Sequence, residues 1–296
     1  MCGVFGFIAR KNQTESSALL NKGLADLKFR GPDFNNFFLS DFLDNKIAIA
    51  HTRLSIIDLS LSSHQPMIDR RSKWVLTYNG EIYNYLEIKS ELKNLGHKFK
   101  SSGDTEVLLK AWIQWGDKCL DRLNGMFAFG AYNYGTGELW LIRDRFGVKP
   151  LFWTIKDNSH VIFSSSAKSI SEIINDDLDI SYCARGLRYK VFETEKSESP
   201  YKNVNPVRAG SLVKFKITMD KIDINENRWY DLSSSVVKQE EYLSNLTYED
   251  ITKHFHALIT NATEIRLRSD VPIATSLSGG IDSAFVTSLA SSKLGR

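Results

Sequence analysis

The chain opens MCGVFGFIAR, Met1 to Arg10. Val4 to Ala9 is a short apolar run with no positive segment before it and with Arg10 and Lys11 directly after it, which fits neither a secretory signal nor a membrane span. It reads as a first strand. Cys2 becomes the first residue if Met1 is removed, which its small side chain permits. A free α-amine titrates near about 7.7 to 8.0 and a free thiol near about 8.5, so the amine of such a residue can take the proton of its own thiol without a histidine. Gly3 would let the backbone approach a ligand, and the strand would hold the terminus at the edge of a sheet.

Around that opening, the composition is globular. The 296 residues, 42% hydrophobic and 25% charged, suffice for about two domains with a sizeable core. A net charge of +3, with lysines and arginines interleaved among acids, gives no basic stripe for nucleic acid or an anionic membrane, so small-molecule partners are expected. Cys2, Cys119 and Cys183 are widely spaced and include no C-x-x-C pair; neither a disulfide framework nor a zinc site is expected, and reducing cytoplasm fits.

Further along, β-rich runs recur as IAIAH, WVLTY, MFAFGAY, ELWLIRD, VIFSS and SLVKFKI, each bounded by Gly, Asn, Asp or Ser. Helical patterns lie between them: LEIKSELKNLG, with Asn84 and Glu87 as a cap pair and Gly96 as a stop, and EVLLKAWIQWG, ending at Gly116. The fold class is α+β. A polar, serine-rich stretch, DLSSSVVKQEEYLSNL, reads as a linker, dividing the chain into 1–232, a linker at 233–246 and a second domain at 247–296. There Thr247 and Asp250 have capping-box spacing, and Ile251, Phe255, Leu258, Ile259, Ala262 and Ile265 make one apolar helical face. PIATSLS reads as a buried strand, SGGIDS as a turn and AFVTSLASSKLG as a helix, the β-loop-α opening of a parallel α/β domain. His254 and His256, two apart on a helix, point to different faces and do not form a metal pair.

The ordered motifs MCGVFGF, RGPD (Arg30 to Asp33), HTRLSIID, YNGEIYN, GDTEVLL and RDRFGVKPLF resemble the class II glutamine amidotransferases, N-terminal-nucleophile hydrolases that release ammonia from glutamine, and within them the glutamine-hydrolysing asparagine synthases. The resemblance implies a sandwich of stacked antiparallel sheets with flanking helices, Cys2 as nucleophile, and Arg53, Asn79, Gly80, Glu81 and Asp104 around glutamine. The chemistry suits these residue types. A bidentate cation and an acid meet the α-carboxylate and α-ammonium, roles for Arg53 and Asp104. The Asn79 side chain and the Gly80 N–H can donate to the oxyanion formed when sulfur attacks the amide. Taken singly, Asn79-Gly80 also reads as a type I′ hairpin turn, Arg53 as half of a surface ion pair, and Asp104 as a helix N-cap. Phe29 stands where the family commonly has histidine, and Ser166 where it has glutamate.

SGGIDSA places glycines between a strand and a helix, where amides and the helix dipole hold phosphate, and there is no Walker A pattern. It looks like the S-G-G-x-D-S loop of ATP pyrophosphatases, implying ATP at Ser278, Gly279, Gly280, Asp282 and Ser283, with Mg2+ accompanying the ATP near Asp282. No resident metal or prosthetic group is expected. The whole then implies asparagine synthesis from aspartate, glutamine and ATP in the cytoplasm, with neither nucleic acid nor membrane as partner; a homodimer is compatible with the resemblance. The chain carries the glutaminase part and only the start of the synthetase part, as a fragment, a truncated product or half of a split enzyme. Two other readings stay open: an amidotransferase for another carboxylate, such as a sugar acid, and a binding module in which Cys2 is inert.

Overall fold

The computed structural model describes residues 1–11, 16–157, 159–192, 194 and 198–295. Two compact units emerge, one from Met1–Ser55 and Ser60–Tyr230, the other from Ile56–Leu59 and the residues from Asp231 onward.

In the first unit the described elements are β1 (Gly3–Arg10), α1 (Ser16–Leu27), β2 (Phe34–Phe42), β3 (Asn45–Arg53), β4 (Met67–Asp69), β5 (Trp74–Ile82), α2 (Tyr85–Asn94), α3 (Asp104–Trp115), β6 (Gly125–Asn133), β7 (Glu138–Arg143), β8 (Phe152–Lys156), β9 (His160–Ser164), α4 (Ala167–Ile174), α5 (Ile180–Tyr189), β10 (Asn205–Pro206), β11 (Ser211–Ile217) and β12 (Ile222–Arg228). They build two six-stranded sheets, ordered β10-β8-β9-β1-β3-β2 and β12-β11-β7-β6-β5-β4. Neighbouring strands run antiparallel throughout.

Side-chain alternation explains the layering. On β1, Val4 and Ile8 face the second sheet and join Ile47, Ile49, Val75, Tyr132, Leu141 and Phe215 in the central core. Phe5, Phe7 and Ala9, on the opposite face, pack with Leu20 and Leu27 of α1 and Ile170 of α4. Beyond the second sheet, Leu76, Tyr78, Phe127 and Phe129 pack on Ile88 and Leu92 of α2 and Val107, Leu108 and Trp112 of α3. The result is four layers, helix, sheet, sheet and helix. A strand covered on both faces reads as a continuous apolar run, as β1 does. The expected α+β class with stacked antiparallel sheets is therefore what the chain adopts. One detail differs, because β1 lies inside its sheet, between β9 and β3, and not at an edge.

The second unit contains α6 (Leu232–Ser244), α7 (Tyr248–Ile265) and α8 (Ile281–Leu294). The stretch read as a linker is thus mostly helical, started by Asp231, whose carboxylate accepts from the Ser234 N–H at 2.9 Å. Thr247 and Asp250 do form a reciprocal capping box on α7. Its apolar face, however, is left open: Phe255 is 59% and Leu258 70% exposed. Residues 271–277 form no strand and are mostly exposed, since a strand requires a neighbour and this unit offers none among its described residues. Within the unit, Asp270 holds the 56–59 segment, donating its N–H to the Ile56 carbonyl at 3.1 Å and accepting the Asp58 N–H at 2.7 Å.

Candidate active site

β1 and β3 bring the first candidate residues together. Gly3 pairs with Thr52, so Cys2 stands beside Arg53 and Leu54 where β3 ends. The Leu54 N–H donates to Cys2 Sγ at 3.4 Å, and the thiol faces the Leu54 carbonyl at 3.6 Å. A Cβ on Gly3 would lie 2.5 Å from Thr52 Oγ1 and 2.9 Å from Leu27 Cβ, so this glycine serves the packing of α1 and β3. Burial pushes the Cys2 thiol above its ordinary pKa, opposed by the Leu54 hydrogen bond, the positive chain terminus and Arg53. Met1 is attached in this structure, so the Cys2 nitrogen is an amide; the free amine exists only once Met1 is removed.

Asn79 and Gly80 lie in the body of β5, paired with Ala128 and Phe127, and the expected hairpin turn is absent. A Cβ at residue 80 would lie 2.3 Å from the Met126 carbonyl oxygen, which is why glycine occupies a regular strand there. The Tyr78 N–H donates away from β6 to Gln65 Oε1 at 2.7 Å, and the Ile82 N–H donates to Asp104 Oδ2 at 3.0 Å. By the two-residue period of a strand, the Gly80 N–H lies on that same edge. Beside it, the Asn79 side chain is buried and its Nδ2 finds no acceptor among the described residues. A buried amide donor without an acceptor is costly in a folded protein, which sets this side chain apart from the satisfied polar groups around it.

Asp104 is the first residue of α3, and the N-cap is Gly103, so the capping role does not apply. Its carboxylate is buried and accepts from the Tyr78 hydroxyl at 2.8 Å as well as from Ile82. Burial pushes this carboxyl up, countered by those two donors and the first amides of the helix. Arg53 is 4% exposed, which removes it from the class of surface ion pairs; its Nη1 donates to the Ser60 carbonyl at 3.1 Å. Glu81 follows Gly80 on β5 and is only partly buried. Electrostatic coupling joins Cys2 to Arg53 and Asp104, and Tyr78 to Cys2, Asp104 and Glu81. The glutaminase candidates therefore converge on one end of the sandwich.

Two cations in the quoted motifs had no role in the sequence reading. Arg30 donates from Nε to the Cys2 carbonyl at 3.1 Å, and its Nη2 is buried with no acceptor among the described residues. Lys149, 8% exposed, lies in electrostatic reach of Glu81, Cys2, Arg30 and Asp144. Asp144 explains the RDRFGVKP motif: Oδ1 accepts from the Phe146 and Val148 amides, and Oδ2 from the Phe127 and Lys149 amides. The signal was present in the motifs, but convergence on Cys2 requires the fold. Of the departures, Phe29 is 79% exposed and Ser166 caps α4, accepting from Ser169 N at 3.4 Å.

In the second unit, Gly279 has φ +85° with nothing within 4 Å of a would-be Cβ, and Gly280 is the N-cap of α8, with no side-chain cap. Ser278 Oγ and Ser283 Oγ are 3.0 Å apart, and Asp282 occupies the first turn. Open amides at a helix start suit a phosphate. The histidine pair is exposed, with His254 stacked on Tyr242, and no cluster of His, Cys, Asp and Glu among the described residues could hold a metal ion. Cys2, Cys119 and Cys183 are free thiols, and no described helix is long and apolar enough to cross a membrane.

Two stacked antiparallel sheets between helix layers, with a cysteine at the head of an interior strand, define an N-terminal-nucleophile hydrolase fold. The chain belongs to the glutamine amidotransferase family, whose domain profile matches residues 1–230, and residues 254–295 match the asparagine synthase profile. Glutamine-hydrolyzing asparagine synthetase 3 of Bacillus subtilis is 31% identical over 297 residues, covering 98% of this chain and 45% of that protein. A putative glutamine-hydrolyzing asparagine synthetase 2 of Methanocaldococcus jannaschii is 34% identical over 302 residues, covering 97% and 56%. A Gibberella zeae protein named amidase chry2 is 30% identical over 302 residues, covering 98% and 43%. The chain thus spans about half the length of these relatives. Among solved structures, the Bacillus subtilis glutamine phosphoribosylpyrophosphate amidotransferase complexed with ADP and GMP aligns with a TM-score of 0.57 at 19% identity, over 77% of this chain and 49% of that one; the likeness concerns the fold.

Proposed function

We propose that the first unit hydrolyses glutamine to glutamate and ammonia through Cys2 after Met1 is removed. The terminal amine takes the thiol proton, sulfur attacks the side-chain carbonyl, and Asn79 Nδ2 with the Gly80 N–H receives the oxyanion. Ammonia leaves, and water cleaves the thioester. Arg53 binds the α-carboxylate, while Asp104 and Glu81 face the α-ammonium. The observation that carries this reading is the buried Asn79 amide, without an acceptor among the described residues, on the strand whose Tyr78 is electrostatically linked to Cys2.

In the full reaction, ATP held at Ser278, Gly279, Gly280, Asp282 and Ser283, with Mg2+, activates the aspartate side-chain carboxylate, and ammonia converts it to asparagine. Three free thiols fit a cytoplasmic setting. Glutamate release from glutamine by the purified chain, with its N-terminus defined by mass spectrometry, tests the first step. Cys2→Ala should abolish release, and Asn79→Ala should lower kcat by about 100- to 1,000-fold. Full activity in Cys2→Ala refutes the assignment.

A further inference from the structure

β4 pairs with β5 in a register that sets Met67 opposite Leu76; carried back along the chain, it would set Gln65 opposite Tyr78 and Ser63 opposite Gly80. The backbone ladder stops short of both. At residue 65 a side chain takes over from the main chain: the Tyr78 N–H donates to Gln65 Oε1 at 2.7 Å, and Gln65 Nε2 donates to the Tyr78 carbonyl at 3.2 Å. Ser63 belongs instead to a 3-10 turn, Leu61–Ser63, where its N–H donates to the Ser60 carbonyl at 3.3 Å. A strand partner continued to residue 63 would take the Gly80 N–H into an ordinary sheet hydrogen bond. The buried Gln65 amide has one way to sit, because reversing it would set its NH2 against the Tyr78 N–H, and Nε2 also donates to Thr105 Oγ1 at 3.4 Å. Thr105 follows Asp104, which accepts from the Tyr78 hydroxyl and the Ile82 N–H, so Gln65, Tyr78, Asp104 and Thr105 close a ring at this edge of β5. The Tyr78 carbonyl has a second donor in His51 Nε2 at 3.0 Å, whereas its N–H relies on Gln65.

Resting on the glutaminase reading above, we propose that Gln65 is a positioning residue for the oxyanion donors: its side-chain amide stands in for a strand partner at Tyr78, ends β4 short of Gly80, and so leaves the Gly80 N–H to an incoming oxygen while fixing the Asn79 peptide that follows. Gln65 touches no reacting atom in this scheme. It acts through Tyr78, and its loss shifts the two donors relative to Cys2, a displacement to which a developing oxyanion is more sensitive than a bound ground state.

The test compares two reactions of Cys2 on chains lacking Met1, both read by peptide mass spectrometry. Acylation by p-nitrophenyl acetate builds an oxyanion before nitrophenolate leaves, whereas alkylation by iodoacetamide displaces iodide and builds none, so their ratio reports the oxyanion donors apart from the state of the thiol. Gln65→Met should slow acylation about tenfold and leave alkylation within about twofold of wild type. Gln65→Glu supplies a pH signature. Burial raises the pKa of its new carboxyl; when neutral, that group accepts the Tyr78 N–H and donates to the Tyr78 carbonyl as the amide does, and when ionised it repels that carbonyl. Its acylation-to-alkylation ratio should therefore match wild type near about pH 5 and fall towards that of Gln65→Met near about pH 8. A wild type that is acylated but does not hydrolyse glutamine refutes the glutaminase reading and leaves the Gln65 role standing. A ratio within twofold of wild type in Gln65→Met overturns the proposal, as does equal slowing of both reactions, and so does a wild type that is alkylated but never acylated. If Gln65→Met does not fold, the Gln65→Glu profile decides, and a ratio that does not change with pH relative to wild type overturns the proposal.

Discussion

Gly80 tolerates no side chain. Its would-be Cβ lies 2.3 Å from a carbonyl oxygen and 2.7 Å from the Phe127 Cα, both backbone atoms that cannot rotate aside. Gly80→Ala should cost about 2 kcal/mol of stability and displace the neighbouring oxyanion donors, lowering kcat more than it raises KM; urea unfolding and glutaminase kinetics check this. His51 makes a second prediction. Its Nε2 must carry the proton because it donates to the Tyr78 carbonyl at 3.0 Å, and burial lowers its pKa to about 3, helped by Arg53 and His64. Between pH 6.5 and about 3 the unfolded chain binds a proton there that the folded one refuses, so stability is full above 6.5 and is lost as pH falls through that window. His51→Gln should flatten the fall by up to a few kcal/mol relative to wild type. At this scale, Asn79-Gly80 shows what sequence conceals. The dipeptide carries a strong turn preference, and only the surrounding sheet, extended from Trp74 to Ile82, overrides it.

Elements carry the site residues to their places, and α3 does most of this by presenting Asp104 from its first turn. Its far side is tied to β4 by Lys110 Nζ and Asp69 Oδ2 at 2.6 Å, with both side chains largely shielded. Lys110→Met should lower stability by about 2 kcal/mol. The readout is tryptophan fluorescence, since all six tryptophans (74, 112, 115, 140, 153 and 229) lie in the first unit. Within the first unit the runs read as strands became strands, because burial on one or both faces leaves a visible pattern. β2, FNNFFLSDF, was missed: it is an edge strand with Asn35, Asn36 and Phe37 exposed, so no clean alternation marks it, and pairing with β3 creates it. Asn84 illustrates a further override. Its side chain leaves α2 uncapped and instead donates to the Arg122 carbonyl at 2.9 Å and accepts from Asn124 N at 2.8 Å.

Taken whole, the chain is unevenly consolidated. The first unit buries its core between layers, whereas among the described residues of α7 and α8 only Thr263, Ile265 and Ala290 are buried. Removing everything after Tyr230 should therefore leave the fluorescence-detected unfolding midpoint of the first unit unchanged; a drop would show that its stability depends on the removed residues. The same imbalance explains the limits of the sequence reading. Periodicity located α7 and α8 correctly, but a strand is defined by its neighbour, and the apolar stretch at 271–277 has no partner to make it one.

Those seven-odd positions have a practical cost for anyone handling the purified material. Ile273 and Leu277, 37% and 63% exposed, leave greasy side chains on backbone able to join foreign sheets. Concentrated stocks should cloud on standing, fluoresce with hydrophobic dyes and sediment faster than dilute ones, while preparations shortened at Tyr230 stay clear.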